Sequence, residues 1–374
     1  MRDTPHKRIA PLTKLKYTKT EAGNFIVTKE KPKINITTIA RAAGVSTSSV
    51  SLALNGKPGV SEETRQNILR IARESGYRHH ATSDTSGMRV LQILACAEGE
   101  IVGEDMSRSP FFMDLVRSIE REARTHGYSC IVSTVSLSEV EREVHRILAP
   151  FANSGLVLLG TNLDDSQLES LARLAEHTVV IDTLAARTPL NTVVMNNRQG
   201  AILATRHLLE LGHRSFGYCH GTRRISNFRE RERGFLETLG EAGLSVPATS
   251  RFALTSDIQV ATAEMSRMLS DRETPMPTAL VCENDYLAIG AIRALTAADY
   301  RVPDDISVVG FDDIAESRVT SPELTTVHVS TDVIARNAVS RLVELQKDPL
   351  SLPVKQIVDT HLVIRQSTAA APSS

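Results

Sequence analysis

Apolar positions recur along the chain with two different spacings, and the change between them divides the sequence. From 34 to 77 they fall three and four residues apart, the spacing that lines one face of a helix. Ile36, Ile39 and Ala40 predict a first short helix over 35–43, and Gly44 after it suits a tight turn. A second helix is predicted over 46–54, opened by a hydroxyl cap at Ser46 and stopped at Asn55-Gly56. Ser61 caps a third, from 62 to about 75, with Ile68, Leu69, Ile71 and Ala72 turned inward. Beyond 88 the pattern becomes short continuous apolar runs alternating with amphipathic stretches. The runs are VLQILAC, SCIVST, GLVLLG, TVVID, TVVM, FGYC, TALVC and ISVVGF. The predicted helices lie over 111–126, 138–149, 165–176, 198–211, 229–242, 257–270 and 285–298.

Two short helices joined by a glycine turn and braced by a third form a helix-turn-helix, which places a helix in the DNA major groove. Apolar strands alternating with amphipathic helices predict an α/β body of parallel, doubly wound sheets, with ligands bound beyond the C-terminal strand ends. About 280 residues exceed one such sheet, so two lobes with a cleft between them are expected. The predicted organisation is a flexible tail over 1–33, an all-α helix-turn-helix head over 34–77 and a polar hinge over 78–88. A two-lobed domain follows over 89–366, and 367–374 is read as a second flexible tail.

Composition changes this picture in one respect. The 374 residues carry a net charge of −1, which taken whole argues against a nucleic-acid partner. The charge is segregated, however. Residues 1–80 hold 15 basic and 6 acidic side chains, whereas the remainder holds 28 basic and 38 acidic. A basic head on an acidic body separates a polyanion-binding module from a body with another task. No apolar run reaches bilayer-spanning length, and the polar N-terminus lacks a secretory core. A cytoplasmic protein without membrane contact is therefore expected. Cys96, Cys130, Cys219 and Cys282 lie far apart inside apolar runs, and are read as small buried hydrophobes rather than metal ligands. A phosphate-binding glycine loop, a GxSxG elbow and metal-ligand spacing are all missing. Neither an enzyme nor a cofactor is predicted.

The run TTIARAAGVSTSSVSLALNGKPGVSEETRQNIL closely resembles the head of the lactose/galactose-repressor family of bacterial transcription regulators. The resemblance rests on Ile39-Ala40, Ala43-Gly44-Val45-Ser46, Val50-Ser51, Leu54-Asn55-Gly56, and Val60-Ser61 with Thr64-Arg65. It implies that Thr47, Ser48 and Leu52 face bases. Ser46, Ser51 and Asn55 would touch phosphates or brace the turn, and Ile36 and Thr37 would join the DNA-binding set. Hydroxyls at Thr47 and Ser48 can serve a donor or an acceptor on a base edge, while Leu52 offers only an apolar contact such as a thymine methyl. Many relatives place at that step an arginine that bonds guanine. The hinge departs further. By count, Ser86 stands where the family has a leucine that wedges into the minor groove, and a serine cannot replace that apolar wedge. The basic tail, with nine basic and three acidic residues, either follows the phosphate backbone or is merely solvated.

The resemblance continues to about residue 345, through Pro110-Phe111-Phe112, Gly127-Tyr128, Ile181-Asp182, Leu211-Gly212-His213-Arg214, Arg231, Glu283-Asn284-Asp285 and the run 306–313. It implies a periplasmic-binding-protein-like (type I) body that closes over a small effector. Phe112, Asp182, Arg231, Asn284 and Asp312 are the effector-pocket candidates it carries. Carboxylate and amide oxygens accept from hydroxyls, a guanidinium donates in a fork and an aromatic face covers a ring, so a sugar or sugar derivative fits. Each residue also has a plain structural reading: helix core for Phe112, turn caps for the two aspartates, a surface arginine, a helix cap for Asn284. The 98–108 loop adds Glu98, Glu100, Glu104 and Asp105 near the predicted cleft mouth, and Arg223, Arg224 and Arg229 lie on the opposite lobe. The expected function is a repressor working as a homodimer on a pseudo-palindromic double-stranded DNA operator under a small-molecule effector. The alternatives are a cytoplasmic small-molecule-binding protein and an architectural DNA binder without effector response.

Overall fold

The computed structural model describes residues 15–19, 25–29, 35–54, 59–74, 89–97, 101–102, 109–140, 142–143, 146, 155–172, 178–185, 187–271, 274–348 and 351–372. The chain divides into two units, 1–87 and 88–374. The hinge and most of the acidic 98–108 loop fall outside the described residues.

In the first unit three helices enclose a small core. The helices are α1 (Ile36–Ala43), α2 (Thr47–Leu54) and α3 (Glu62–Glu74). Each starts at a polar cap, as the sequence predicts. The Asn35 side chain accepts from Thr38 N at 2.9 Å, Ser46 Oγ from Ser49 N at 3.0 Å, and Ser61 Oγ from Thr64 N at 3.3 Å. Such caps satisfy N–H groups that the helix cannot. Gly44 ends α1 at φ 67, where a Cβ would be strained. Ile39, Ala40, Val50, Ala53, Ile68 and Ala72 form the core, and Arg65 donates to the Ala53 carbonyl at 3.3 Å, holding α3 against the end of α2.

The wholly flexible tail expected over 1–33 requires correction. It contains an antiparallel hairpin of β1 (Leu15–Lys19) and β2 (Phe25–Lys29). Apolar residues at alternate positions, Leu15 and Tyr17 then Phe25 and Val27, together with β-branched Thr18, Ile26 and Thr28, favour extended backbone.

The second unit consists of two six-stranded lobes. The first lobe has the strand order β13-β7-β6-β5-β3-β4. Here β3 is Arg89–Ala97, β4 Tyr128–Ser136, β5 Gly155–Leu159, β6 Thr178–Ile181, β7 Asn191–Met195 and β13 Lys355–Val358. Every pairing in this sheet is parallel. The second lobe has the order β14-β12-β11-β10-β8-β9. These strands are β8 (Phe216–Gly221), β9 (Arg251–Leu254), β10 (Ala279–Cys282), β11 (Ser307–Asp312), β12 (Thr325–His328) and β14 (His361–Val363), with only β14 antiparallel. Helices α4 (Pro110–Thr125) and α5 (Asp165–Ala172) follow strands of the first lobe. In the second lobe the helices are α6 (Asn197–Glu210), α7 (Ser226–Glu241), α8 (Ile258–Ser270) and α9 (Asp285–Ala297). Helix α10 (Thr331–Lys347) returns to pack on α4 and the first sheet. The chain therefore crosses between lobes three times, after β7, after β12 and after β13.

The interior of both sheets is built from the runs read as strands. β5, β6, β7, β10 and β11 are buried along their whole length, as expected for parallel strands covered on both faces. Cys96, Cys219 and Cys282 are buried free thiols, and burial pushes the Cys96 thiol up to about 12. Strands β9, β12, β13 and β14 were not anticipated. At three or four residues each they are too short for a periodic signal, and β13 and β14 lie half-exposed at sheet edges. Gly234 brings α7 against α6, because a Cβ there would collide with the Arg198 carbonyl oxygen.

The flexible tail expected at 367–374 is also corrected, as far as Pro372. Ser367 is fully buried, its hydroxyl donates to the Val308 carbonyl at 2.6 Å and accepts from Thr325 N at 2.8 Å. The Ala369 carbonyl lies 3.1 Å from His213 Nε2, and Ala371 N donates to the Leu211 carbonyl at 2.9 Å. Small residues fit this seam, and low-complexity composition disguised it. Removing 367–374 strips partners from buried Val308 and Thr325. It is expected to lower body stability by about 2 kcal/mol or more, read as a lower urea midpoint at unchanged slope.

Candidate functional site

The head offers one polar helix face. On α2, Thr47 and Ser48 are exposed, Ser51 and Leu52 are half-buried, and Val50 and Ala53 on the other side are sealed in the core. The hydroxyls thus stand on the face left free by packing. Ser46 braces the turn, its Oγ lying 2.9 Å from Ser49 Oγ as well as capping the helix. Leu52 packs beside Gly59. Thr37 is exposed, Ile36 packs partly on the core, and Asn55 lies outside the described residues.

In the body the polar groups gather where strands end. Asp182 follows β6 at φ 62 and Asp312 ends β11 at φ 113, left-handed backbone that aspartate tolerates better than most residues. Between them stands Arg231 on α7, with only 4% of its surface exposed. Its Nε donates to Asn197 Oδ1 at 2.8 Å and its Nη2 to Asp312 Oδ1 at 3.0 Å. Its remaining terminal nitrogen donates to the Glu283 carbonyl, and the guanidinium lies 3.6 Å over the Phe311 ring. Asn197 Nδ2 donates to Asn227 Oδ1 at 3.1 Å, and Asn227 Nδ2 to Asp182 Oδ1 at 2.9 Å. The Thr161 hydroxyl completes the line by donating to the Asp182 carboxylate. One hydrogen-bonded chain therefore runs from Thr161 and Asp182 in the first lobe to Arg231 and Asp312 in the second.

Desolvation dominates the electrostatics here. Burial pushes the Asp182 carboxyl up to about 7 and that of Asp312 up to about 6, against the pull of Arg231 in both cases. Glu283 is likewise raised to about 7 by burial, although Arg224 grips both its oxygens at 2.6 and 2.7 Å and Gly221 N and Tyr218 donate to it. Asp285 accepts from Ile314 N at 2.9 Å and from the Thr326 hydroxyl.

Three of the five candidates are thus brought together. Arg231 and Asp312 touch, and Asp182 joins through two amides. Asn284 sits beside them through the Glu283 carbonyl, while its side chain caps α9 at Leu287 N (3.0 Å) and reaches Ser256 Oγ at 3.3 Å. Phe112 stands apart, buried in α4 with its ring edge-on to Phe111 at 5.3 Å. Residue patterns missed Asn197, Asn227, Glu283 and Thr161. Asn227 was detectable in principle, since it precedes Arg231 by four positions on one helix face. A separate cavity of about 580 Å³ opens between 161–168 of the first lobe and 223–229 of the second, lined among others by Thr161, Thr183, Arg223, Arg224, Ser226 and Arg229. Thr183 Oγ1 and Ser226 Oγ meet across it at 3.0 Å. None of the five candidates lines this cavity; it adjoins the polar chain at Thr161.

Replacing Arg231 with Gln leaves Asp312 buried without its cation, so the body is expected to lose about 3–5 kcal/mol, measured by denaturant unfolding. The raised carboxyls set a pH dependence. Native Asp182 keeps a proton that the unfolded chain has released, so its contribution is complete below the unfolded value, near 4, and is lost as pH rises through about 7. Melting temperature should fall between about pH 5 and pH 8, and Asp182→Asn should flatten that slope.

The geometry agrees with comparisons to known proteins. The model for bacterial regulatory proteins of the lacI family matches residues 35–79, and that of the periplasmic binding protein-like domain matches 205–368. The chain is 31% identical over 337 residues to the HTH-type transcriptional repressor PurR of Photobacterium profundum, covering 88% of this chain and 97% of that protein. A repressor of the same name from Haemophilus influenzae is 30% identical over 333 residues, with the same coverage. Among solved structures, the Lac repressor dimer bound to operator and the anti-inducer ONPF aligns with TM-score 0.67 and 26% identity, over 91% of this chain and all of that one. The transcriptional regulator CelR in complex with cellobiose aligns at 0.65 and 25%, over 90% and 100%. A capped three-helix reading head followed by a two-lobed α/β sensor, matched along nearly the whole length of such repressors, makes this chain a member of the lacI family: a DNA-binding transcriptional repressor with an effector-binding domain.

Proposed function

We propose that this repressor is controlled by a hydroxylated small molecule, a sugar or sugar derivative, held between the lobes against Asp182, Arg231, Asn284 and Asp312. The observation that carries this reading is the hydrogen-bonded chain from Thr161 to Asp312. It presents carboxylate and amide oxygens and a forked cation, the groups that exchange readily with ligand hydroxyls. Because the chain joins both lobes, an effector that competes for its members changes how far the lobes close. A tenfold change in operator affinity requires about 1.4 kcal/mol of preference for one closure state, within reach of one or two such bonds.

At the head, the reading set is Ile36, Thr37, Ser46, Thr47, Ser48, Ser51, Leu52 and Asn55, with Thr47, Ser48 and Leu52 toward the bases. Two heads related by the dimer axis read a pseudo-palindrome. Selection of bound DNA from a random pool is expected to enrich such a site. Repetition with a panel of sugars should change recovery for one of them. Arg231→Lys, which cannot keep the fork, should retain the selected site while losing that response. A panel without effect on either protein overturns the effector reading.

A further inference from the structure

The basic segment ahead of the head has no part in the reading above. The matched family region begins at residue 35, yet residues 1–33 carry nine basic and three acidic side chains. Within that segment β1 and β2 form a hairpin, pairing Leu15 with Lys29, Tyr17 with Val27 and Lys19 with Phe25. Every charged residue on the two strands is a lysine: Lys16, Lys19 and Lys29. A two-stranded ribbon is marginal by itself, so a partner that supplies favourable energy along it matters more than for a packed element.

Charge and reach both point to the same partner. The register places Lys19 and Lys29 at opposite ends of the ribbon, four strand residues apart, which is about 13 Å at the usual rise. That matches the roughly 12 Å width of the major groove, which admits a two-stranded ribbon. Lys29 and the Asn35 cap of α1 are six residues apart, so they lie no more than about 22 Å from each other. This is less than one turn of duplex, about 34 Å. The hairpin is therefore tethered within a helical turn of the start of α1, where Ile36 and Thr37 belong to the reading set proposed above. Tethering at that distance raises its effective concentration at flanking DNA.

We propose that the N-terminal hairpin is a second DNA-contacting element, its lysine-only charge suited to backbone phosphates that flank the half-site read by α2. The inference rests on operator binding by the head. Its contribution is sequence-independent, so it strengthens and steers binding without altering the preferred site.

The test compares the full chain with its full-length K16Q/K19Q/K29Q variant by fluorescence anisotropy over a series of KCl concentrations. Two duplexes are used, one limited to the selected site and one extended by a helical turn on each side. The register puts Lys19 and Lys29 on one face of the ribbon and Lys16 on the other, so on the extended duplex the variant should lose about 0.9 of log K against log [KCl] slope per lysine of the contacting face, about 2 per protomer. On the short duplex the two proteins should agree, and both should select the same site. Arginine at the three positions should restore the slope. Equal slopes on the extended duplex, or an equal loss on both duplexes, overturn the proposal. Failure of the unaltered chain to select any site would instead remove the operator reading on which it rests.

Discussion

The body depends on how one buried guanidinium is satisfied. Arg231 is removed from water, and a cation in that position persists only when its N–H groups find acceptors. Here three directions of its fork are occupied by an asparagine oxygen, a backbone carbonyl and a carboxylate, and its face by the Phe311 ring. These acceptors come from α6, the end of β10 and the end of β11, so one side chain ties together three elements of the second lobe. Through Asn197 and Asn227 the same group reaches Asp182 in the first lobe. A buried ion pair of this kind is weak evidence of added stability. Its consequence is positional, since the strand ends and helix starts around Arg231 can satisfy it in few arrangements.

That constraint also sets the electrostatics of the interior. The carboxylates around Arg231 are desolvated enough to hold protons near neutral pH, so the interior is balanced between charged and neutral forms. Among the described residues, three chain crossings join the lobes. The head, by contrast, is held by six small and aliphatic core residues and three polar caps.

Much of this architecture was legible because strong local signals agree with the final structure. Cap residues at Asn35, Ser46 and Ser61 start the helices of the head, and continuous apolar runs become the central strands of both sheets. Legibility failed where local signal was weak. Strands β9, β12, β13 and β14 are too short for periodicity, the C-terminal seam around Ser367 has the composition of a linker, and the alternation in 15–29 is outweighed by its lysines. At the site, charged and aromatic residues carried by resemblance were visible. The amides that connect them were not, because an asparagine at a helix start has the same local signature whether it caps, coordinates or faces solvent.

The sequence by itself determined the division into a basic reader and an acidic two-lobed sensor, the helices of the head and the strands at the centre of each sheet. These follow from periodicity, capping and charge, which act over a few residues. Only the tertiary structure decided that Asp182, Asn227, Asn197, Arg231 and Asp312 form one continuous chain, and that Asn284 caps the helix it precedes while lying beside that chain. Those outcomes depend on the convergence of strand ends far apart in sequence, and on the cost of leaving a buried charge without partners, which no local pattern encodes.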